Sequence, residues 1–174
     1  MVELILNQIR DKKIIILGFG REGVSSYRFL RKHFPDMDIV AADRSENLKI
    51  DEYKNDKHLK FVIGKDYDRN LNDYDLILKT PGVNLNNINY FIQPQRITSQ
   101  TELFLYGYNH QVIGVTGTKG KSTTSSLIYH ILSNSRGNTF LAGNIGIPFF
   151  DIVDQLDDDS VIVAELSAHQ LEYT

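Results

Sequence analysis

The sequence predicts an α/β protein built from two successive parallel-sheet units, and three observations carry that reading. Short apolar runs alternate along the chain with segments of helical spacing, which is the pattern of strands joined by crossover helices. Two of those runs pass directly into glycine-rich turns, at Gly18 and at Thr116-Gly117, and each turn is followed by a helical pattern. Between them, from Leu85 to Thr98, the chain turns polar and Asn-rich and contains Pro94, so the units are divided at 97/98.

In chain order, Ile14-Ile15-Ile16-Leu17 is a continuous β-branched run of the kind buried on both faces of a parallel sheet, and Gly18 follows at once. Val24, Tyr27, Phe29, Leu30 and Phe34 then fall near helical spacing until Pro35 stops the pattern. Asp38 to Ala42 reads as a second strand ending at Asp43, with a polar helical stretch at 51–56 after it. Strands at 59–63 and 75–78 follow, the latter running into Lys79-Thr80-Pro81-Gly82. In the second unit a helix over 99–106 leads to a strand at 111–115 and a helix over 122–132. A strand at 139–141, a helix at 148–156 and a strand at 161–165 complete the series. Three strands are few for a parallel α/β domain, so the second unit is expected to be the first part of a larger one.

The composition narrows the function classes. The 174 residues are 41% hydrophobic, enough for a buried core, and 22 acids against 19 bases give a net charge of −3. Basic residues form no run that could track a phosphodiester backbone, so nucleic acid is not an expected partner. Without cysteine, disulfides, thiolate metal sites and cysteine nucleophiles are excluded. No apolar segment approaches the roughly 18 residues of a membrane span, and the N-terminus has no targeting pattern, so the expectation is a cytoplasmic protein with no membrane partner.

The most informative segment is Gly114-Val115-Thr116-Gly117-Thr118-Lys119-Gly120-Lys121-Ser122-Thr123, where a strand enters a glycine turn and a helix leaves it. Glycines allow backbone N–H groups to turn inward around phosphate oxygens, and the helix N-terminus adds its dipole. Lys121 is placed to reach the β and γ phosphates of ATP, and Ser122 to hold Mg²⁺. Gly117 and Gly120 are separated by two residues where the general phosphate loop has four. Glu165 closes the apolar strand Val161-Ile162-Val163-Ala164, near the loop in such a sheet, and is the candidate second Mg²⁺ ligand. Taken by itself, an acid ending a strand equally suits a solvent-facing position.

Gly18-Phe19-Gly20-Arg21-Glu22-Gly23 follows a strand, precedes a helix and has Asp43 twenty residues beyond it, the fingerprint of a Rossmann-like dinucleotide site. The fingerprint alone predicts NAD. Its physics is less selective: a diphosphate at a helix N-terminus and a ribose-like hydroxyl pair at Asp43 would be satisfied by any nucleotide diphosphate.

Taken together, these residues resemble the Mur ligase family, the ATP-dependent amide-bond-forming enzymes that build the peptide of bacterial cell-wall precursors. The resemblance runs over essentially the whole chain. Its carriers are Gly18 to Gly23, Thr80-Pro81-Gly82-Val83, Thr116 to Thr123, Gly143-Asn144-Ile145-Gly146 and Glu165 to Glu172. The short phosphate loop is characteristic of that family. The style of the first unit and the Glu165-Leu166-Ser167 and Gln170-Leu171-Glu172 pieces are most similar to the members that add D-glutamate to UDP-N-acetylmuramoyl-L-alanine. Two places depart from that pattern. Lys119 stands where asparagine is usual, and Ser167-Ala168-His169 stands where Ser-Ser-Phe is usual. His169 is similar to members adding diaminopimelate or lysine, which leaves the added amino acid open; asked of His169 alone, a packing role is preferred to a catalytic one.

The resemblance implies roles. Gly20, Arg21 and Glu22 would lie near the UDP diphosphate, Asp43 and Arg44 at the uridine, and Thr80 and Pro81 in the same pocket. Thr116, Gly117, Thr118, Lys119, Gly120, Lys121, Ser122 and Thr123 would bind ATP, with Lys121 and Glu165 catalytic and Ser122 and Glu165 holding Mg²⁺. Asn144, Ser167 and Gln170 would face the UDP-linked substrate. Two other readings stay open: a non-catalytic module binding a UDP-sugar or another nucleotide, and an NAD enzyme with no use for Lys121.

Overall fold

The computed structural model describes residues 1–85 and 90–171. Glu172 and the Asn86 to Asn89 part of the polar stretch lie outside the described residues. The chain divides into two compact units, one of Gln8–Gln100 and one of Met1–Asn7 with Thr101–Thr174.

The chain opens on a short helix, α1 (Val2–Ile9), whose Ile5, Leu6 and Ile9 are buried. These three residues lie on one helical face. In the unit of Gln8–Gln100, β1 (Ile14–Leu17) is followed by α2 (Arg21–His33), β2 (Ile39–Asp43), β3 (Leu59–Ile63), β4 (Leu76–Lys79) and β5 (Ile97–Thr98). All five strands are parallel, in the order β3-β2-β1-β4-β5. The expected Rossmann-like sheet is present, and β1, its central strand, is buried along its whole length. On α2, Phe29 and Leu30 are buried together with Ser25 and Ser26. Both serine hydroxyls accept hydrogen bonds from Gln100 Nε2, at 3.2 and 3.0 Å, which satisfies polar atoms placed in the core.

Two expected helices are shorter or tighter than the sequence suggests. The polar stretch at 51–56 forms a 3-10 turn, Ile50–Tyr53, whose Tyr53 ring packs edge-on against Phe19 and Tyr27 at 5.3 Å. The 148–156 helix is a single α-turn prolonged by a 3-10 turn, Val153–Gln155.

The second unit contains α3 (Gln100–Tyr108, from Thr101 onward), β6 (Val112–Val115), α4 (Lys121–Ser135), β7 (Thr139–Gly143), α5 (Phe149–Ile152) and β8 (Val161–Glu165). Its three described strands are parallel in the order β6-β8-β7. Phe104 of α3 stacks on Tyr108 and on Phe149 of α5, with ring centroids 4.9 and 4.6 Å apart. Ile162, Val163 and Ala164 of the central β8 are fully buried, as a run enclosed in a parallel sheet must be. Helix α4 packs on β7 and β8, with Ser125 as its buried residue.

Candidate functional site

In the unit of Gln8–Gln100 the strand order reverses between β1 and β4, and ligands of open α/β sheets bind beyond the carboxyl ends of the strands at such a point. Leu17 and Lys79 end these two strands in register, so the loops that begin at Gly18 and Thr80 meet. Leu17 O accepts hydrogen bonds from Thr80 N at 2.9 Å and from Thr80 Oγ1 at 3.1 Å. Gly18 has a positive φ of 94°, and a Cβ there would run into Thr80 Oγ1. A Cβ on Gly23 would collide with the carbonyl oxygen of Gly18, whereas one on Gly20 would meet nothing within 4 Å. The first and third glycines therefore close the turn against its surroundings, while the second leaves an open approach to the start of α2.

That approach opens on a cavity of about 870 Å³. Gly20, Arg21, Asp43, Arg44 and Thr80, five of the candidate UDP-binding residues, line it together. Glu22 and Pro81 are not part of the lining. Asp43 also has a local duty: its Oδ2 accepts the Phe19 amide at 2.7 Å and its Oδ1 the Ser45 amide at 2.8 Å. The carboxylate thereby joins the end of β2 to the glycine turn after β1.

Lys65, Tyr67, Asp68 and Asn84 also line the cavity and were not singled out from sequence. For Lys65, Tyr67 and Asp68 the signal was positional. Asp43 and Ile63 are register partners at the ends of β2 and β3, so the residues just after β3 reach the same edge of the sheet as Arg44. Tyr67 has a phenol pushed above the ordinary tyrosine range, chiefly by burial and then by the charge of Asp68. Tyr90 ties this loop down, its hydroxyl donating to Asp68 O and accepting the Leu71 amide at 3.1 Å.

The second cluster lies at the carboxyl ends of β6, β7 and β8. Beyond Val115 the turn reverses direction through Gly117 (φ 141°) and Gly120 (φ 77°), and Gly120 caps α4. Thr116 to Gly120 are all exposed, so the turn that leads into the N-terminus of a 15-residue helix is open to a ligand. Lys121 Nζ donates to Gly117 O at 2.8 Å, holding the lysine over the turn. Ser122 and Thr123 stand in the first turn of α4, and Ser125, one turn on, donates to Lys121 O at 2.8 Å.

Glu165 is the register partner of both Val115 and Gly143, which sets it beside the start of the lysine-serine turn. It is buried, 1% exposed. Its Oε1 accepts a hydrogen bond from Asn144 Nδ2 at 2.7 Å, and its Oε2 has no hydrogen-bond partner. An orphaned buried carboxylate oxygen is costly unless a cation or a donor meets it, so the residue suits a metal ligand and not the solvent-facing alternative. No group of three His, Asp or Glu side chains that could hold a metal occurs among the described residues. The donor set fits Mg²⁺, which takes one or two protein oxygens and completes its octahedron with phosphate and water. Ser122 and Glu165 are the residues that would hold it.

Ser167 and Gln170 satisfy one another after β8. Gln170 Oε1 accepts from Ser167 N at 3.0 Å and from Ser167 Oγ at 3.2 Å, and Gln170 is 2% exposed. His169 between them is exposed, so the packing role preferred for it does not hold.

The fold and these two clusters define an α/β protein with a nucleotide-type glycine turn in one unit and a lysine-serine turn backed by a buried acid in the other. Residues 12–95 match the family model described as Mur ligase MurD-like, N-terminal domain, and residues 115–173 match that of the Mur ligase middle domain. The chain belongs to the Mur ligase family. It is 32% identical over 172 residues to the UDP-N-acetylmuramoylalanine–D-glutamate ligase of Clostridioides difficile (strain 630), an alignment covering 94% of this chain and 38% of the relative. To the proteins of the same name from Borreliella afzelii (strain PKo) and Borreliella burgdorferi (strain ZS7) it is 35% and 34% identical, over 96% and 97% of this chain. The chain spans 38% of the length of each of these relatives. None of the described helices is long and apolar enough to cross a membrane.

Proposed function

We propose that this sequence supplies the substrate-nucleotide and ATP-holding parts of an ATP-dependent ligase that joins D-glutamate to UDP-N-acetylmuramoyl-L-alanine during synthesis of peptidoglycan precursors in the cytoplasm. The observation that carries the reading is Glu165, whose unpartnered buried oxygen lies at the strand end beside the lysine-serine turn. The names of the relatives support the choice of substrate.

In this reading Arg21 and the open approach at Gly20 take the diphosphate at the start of α2, with Asp43, Arg44 and Thr80 around the uridine. The amides of Thr116 to Gly120 and the ammonium of Lys121 hold the phosphates of ATP. Mg²⁺, when bound, neutralises charge on the transferring phosphoryl oxygens. An oxygen of the substrate carboxylate attacks the γ-phosphorus, the bond to the bridging oxygen breaks, and ADP departs, leaving an acyl phosphate. The amine of D-glutamate then attacks the acyl carbon, inorganic phosphate leaves, and the new amide loses a proton. Lys121 contributes by fixing geometry and compensating charge, the two largest resources of phosphoryl transfer.

The test is ADP release by the whole-length protein carrying this sequence, given UDP-N-acetylmuramoyl-L-alanine, Mg-ATP and, in separate reactions, D-glutamate, L-glutamate, L-lysine or diaminopimelate. Turnover with D-glutamate alone is expected. Turnover with one of the others in its place overturns the assignment of the amino acid, and no ADP with any of them overturns the ligase reading.

A further inference from the structure

We propose that Asn144 is a positioning residue that decides which oxygen of Glu165 is offered to the metal, an inference that rests on the Mg-ATP site described above. The turn Gly143-Asn144-Ile145-Gly146 is fixed in shape. Gly143 and Gly146 both have positive φ, 102° and 74°; a Cβ on the first would collide with Glu165 O and one on the second with Leu141 O. So held, Asn144 grips Glu165 twice. Its backbone N–H donates to Glu165 O at 2.9 Å and its side-chain amide to Glu165 Oε1 at 2.7 Å. The carboxylate is buried at the end of the central strand β8, where the Asn144 amide fixes the orientation of its oxygens.

With Oε1 engaged by the amide, the metal meets Oε2. One-oxygen ligation suits the small, strictly octahedral Mg²⁺, whereas Ca²⁺ accepts both oxygens of one carboxylate and a looser sphere. Asn144 thus acts through Glu165: it holds the carboxylate in the mode that favours Mg²⁺, and removing it frees the second oxygen for a larger ion. Partners one step behind a metal ligand change metal affinity by about 10- to 100-fold when lost.

The experiment is calorimetric titration of ATP into the protein in the presence of Mg²⁺ or Ca²⁺, with Asn144→Ala, Asn144→Leu and Glu165→Gln variants whose folding is checked by circular dichroism. Asn144→Leu keeps nearly the size and the backbone bond and loses the donor without adding a charge or a metal ligand, so it gives the same readout should the alanine variant fail to fold. The expected result is that both Asn144 variants lower the ratio of Mg²⁺-supported to Ca²⁺-supported ATP affinity about tenfold, while Glu165→Gln removes the benefit of either ion. An unchanged ratio in the Asn144 variants, alongside a loss in Glu165→Gln, overturns the positioning role and leaves the metal site standing. Metal-supported binding undiminished in Glu165→Gln overturns the metal site itself.

Discussion

Asp43 Oδ2 accepts the amide of Phe19 at 2.7 Å, so the acid expected to read a ribose-like group is also the strut that shapes the glycine turn. Its other oxygen is equally engaged, by the Ser45 amide. The residue therefore lies on two links of the chain from sequence to function, and its substitution is expected to act on both. Asp43→Ala leaves two backbone donors without acceptors, at a cost of about 1–3 kcal/mol for each one that stays buried. Asp43→Asn keeps one acceptor oxygen and is expected to lose less stability in urea unfolding.

The two glycines that flank Arg21-Glu22 are predicted to behave oppositely. Gly23→Ala drives a methyl into the backbone carbonyl of Gly18 and is expected to destabilise the unit of Gln8–Gln100 by about 1–3 kcal/mol. Gly20→Ala meets nothing within 4 Å and is expected to cost less than about 1 kcal/mol, yet to weaken nucleotide binding because its methyl enters the cavity. Urea melts paired with a UDP titration separate the two effects; equal melts would contradict the packing argument.

Lys121→Ala should leave the fold intact, since the lysine's contact with Gly117 O is at the surface. Affinity for Mg-ATP is expected to fall at least tenfold, which is about 1.4 kcal/mol. Binding of ATP that is indifferent to the substitution would return the turn to a purely structural role.

Acid sensitivity of the same unit should trace to Asp56. Burial pushes its pKa up, but hydrogen bonds from Tyr27, the His58 amide and Arg31 outweigh that and hold it below the ordinary aspartate value. A carboxyl whose folded pKa is depressed contributes stability above its unfolded pKa of about 3.9, and that contribution is lost as pH falls through the folded value. The unit should therefore lose stability below about pH 4, and Asp56→Asn should flatten that limb. Circular dichroism melts between neutral and acid pH give the comparison.

Much of this was legible because the elements are periodic or punctuated. Ile14 to Leu17 reads as a buried parallel strand from its composition, and Pro35 marks the end of α2 within two residues of the observed His33. The elements that escaped are short ones. β5 has two residues, so no alternation can declare it, and α1 spans only eight residues, too few for its apolar positions Ile5, Leu6 and Ile9 to establish a helical period. The same holds for the site. Gly20, Arg21 and Asp43 follow from the glycine motif and Arg44 and Thr80 from the family resemblance, whereas Lys65, Tyr67 and Asp68 reach the cavity only through the register of β2 with β3. The bond between Asn144 and Glu165 joins residues 21 apart in sequence across adjacent strand ends, a proximity that the strand order β6-β8-β7 creates and no local pattern announces.

The central claim is that the cavity beside Gly20 and Asp43 takes a uridine diphosphate substrate. Titrating the protein calorimetrically with UDP-N-acetylmuramoyl-L-alanine, UDP and NAD, each repeated with Asp43→Ala, tests it most directly. The account predicts that both uridine compounds bind, that Asp43→Ala weakens both, and that NAD gives no heat. Binding of NAD with no response to either uridine compound would contradict it and make the first glycine turn a dinucleotide site.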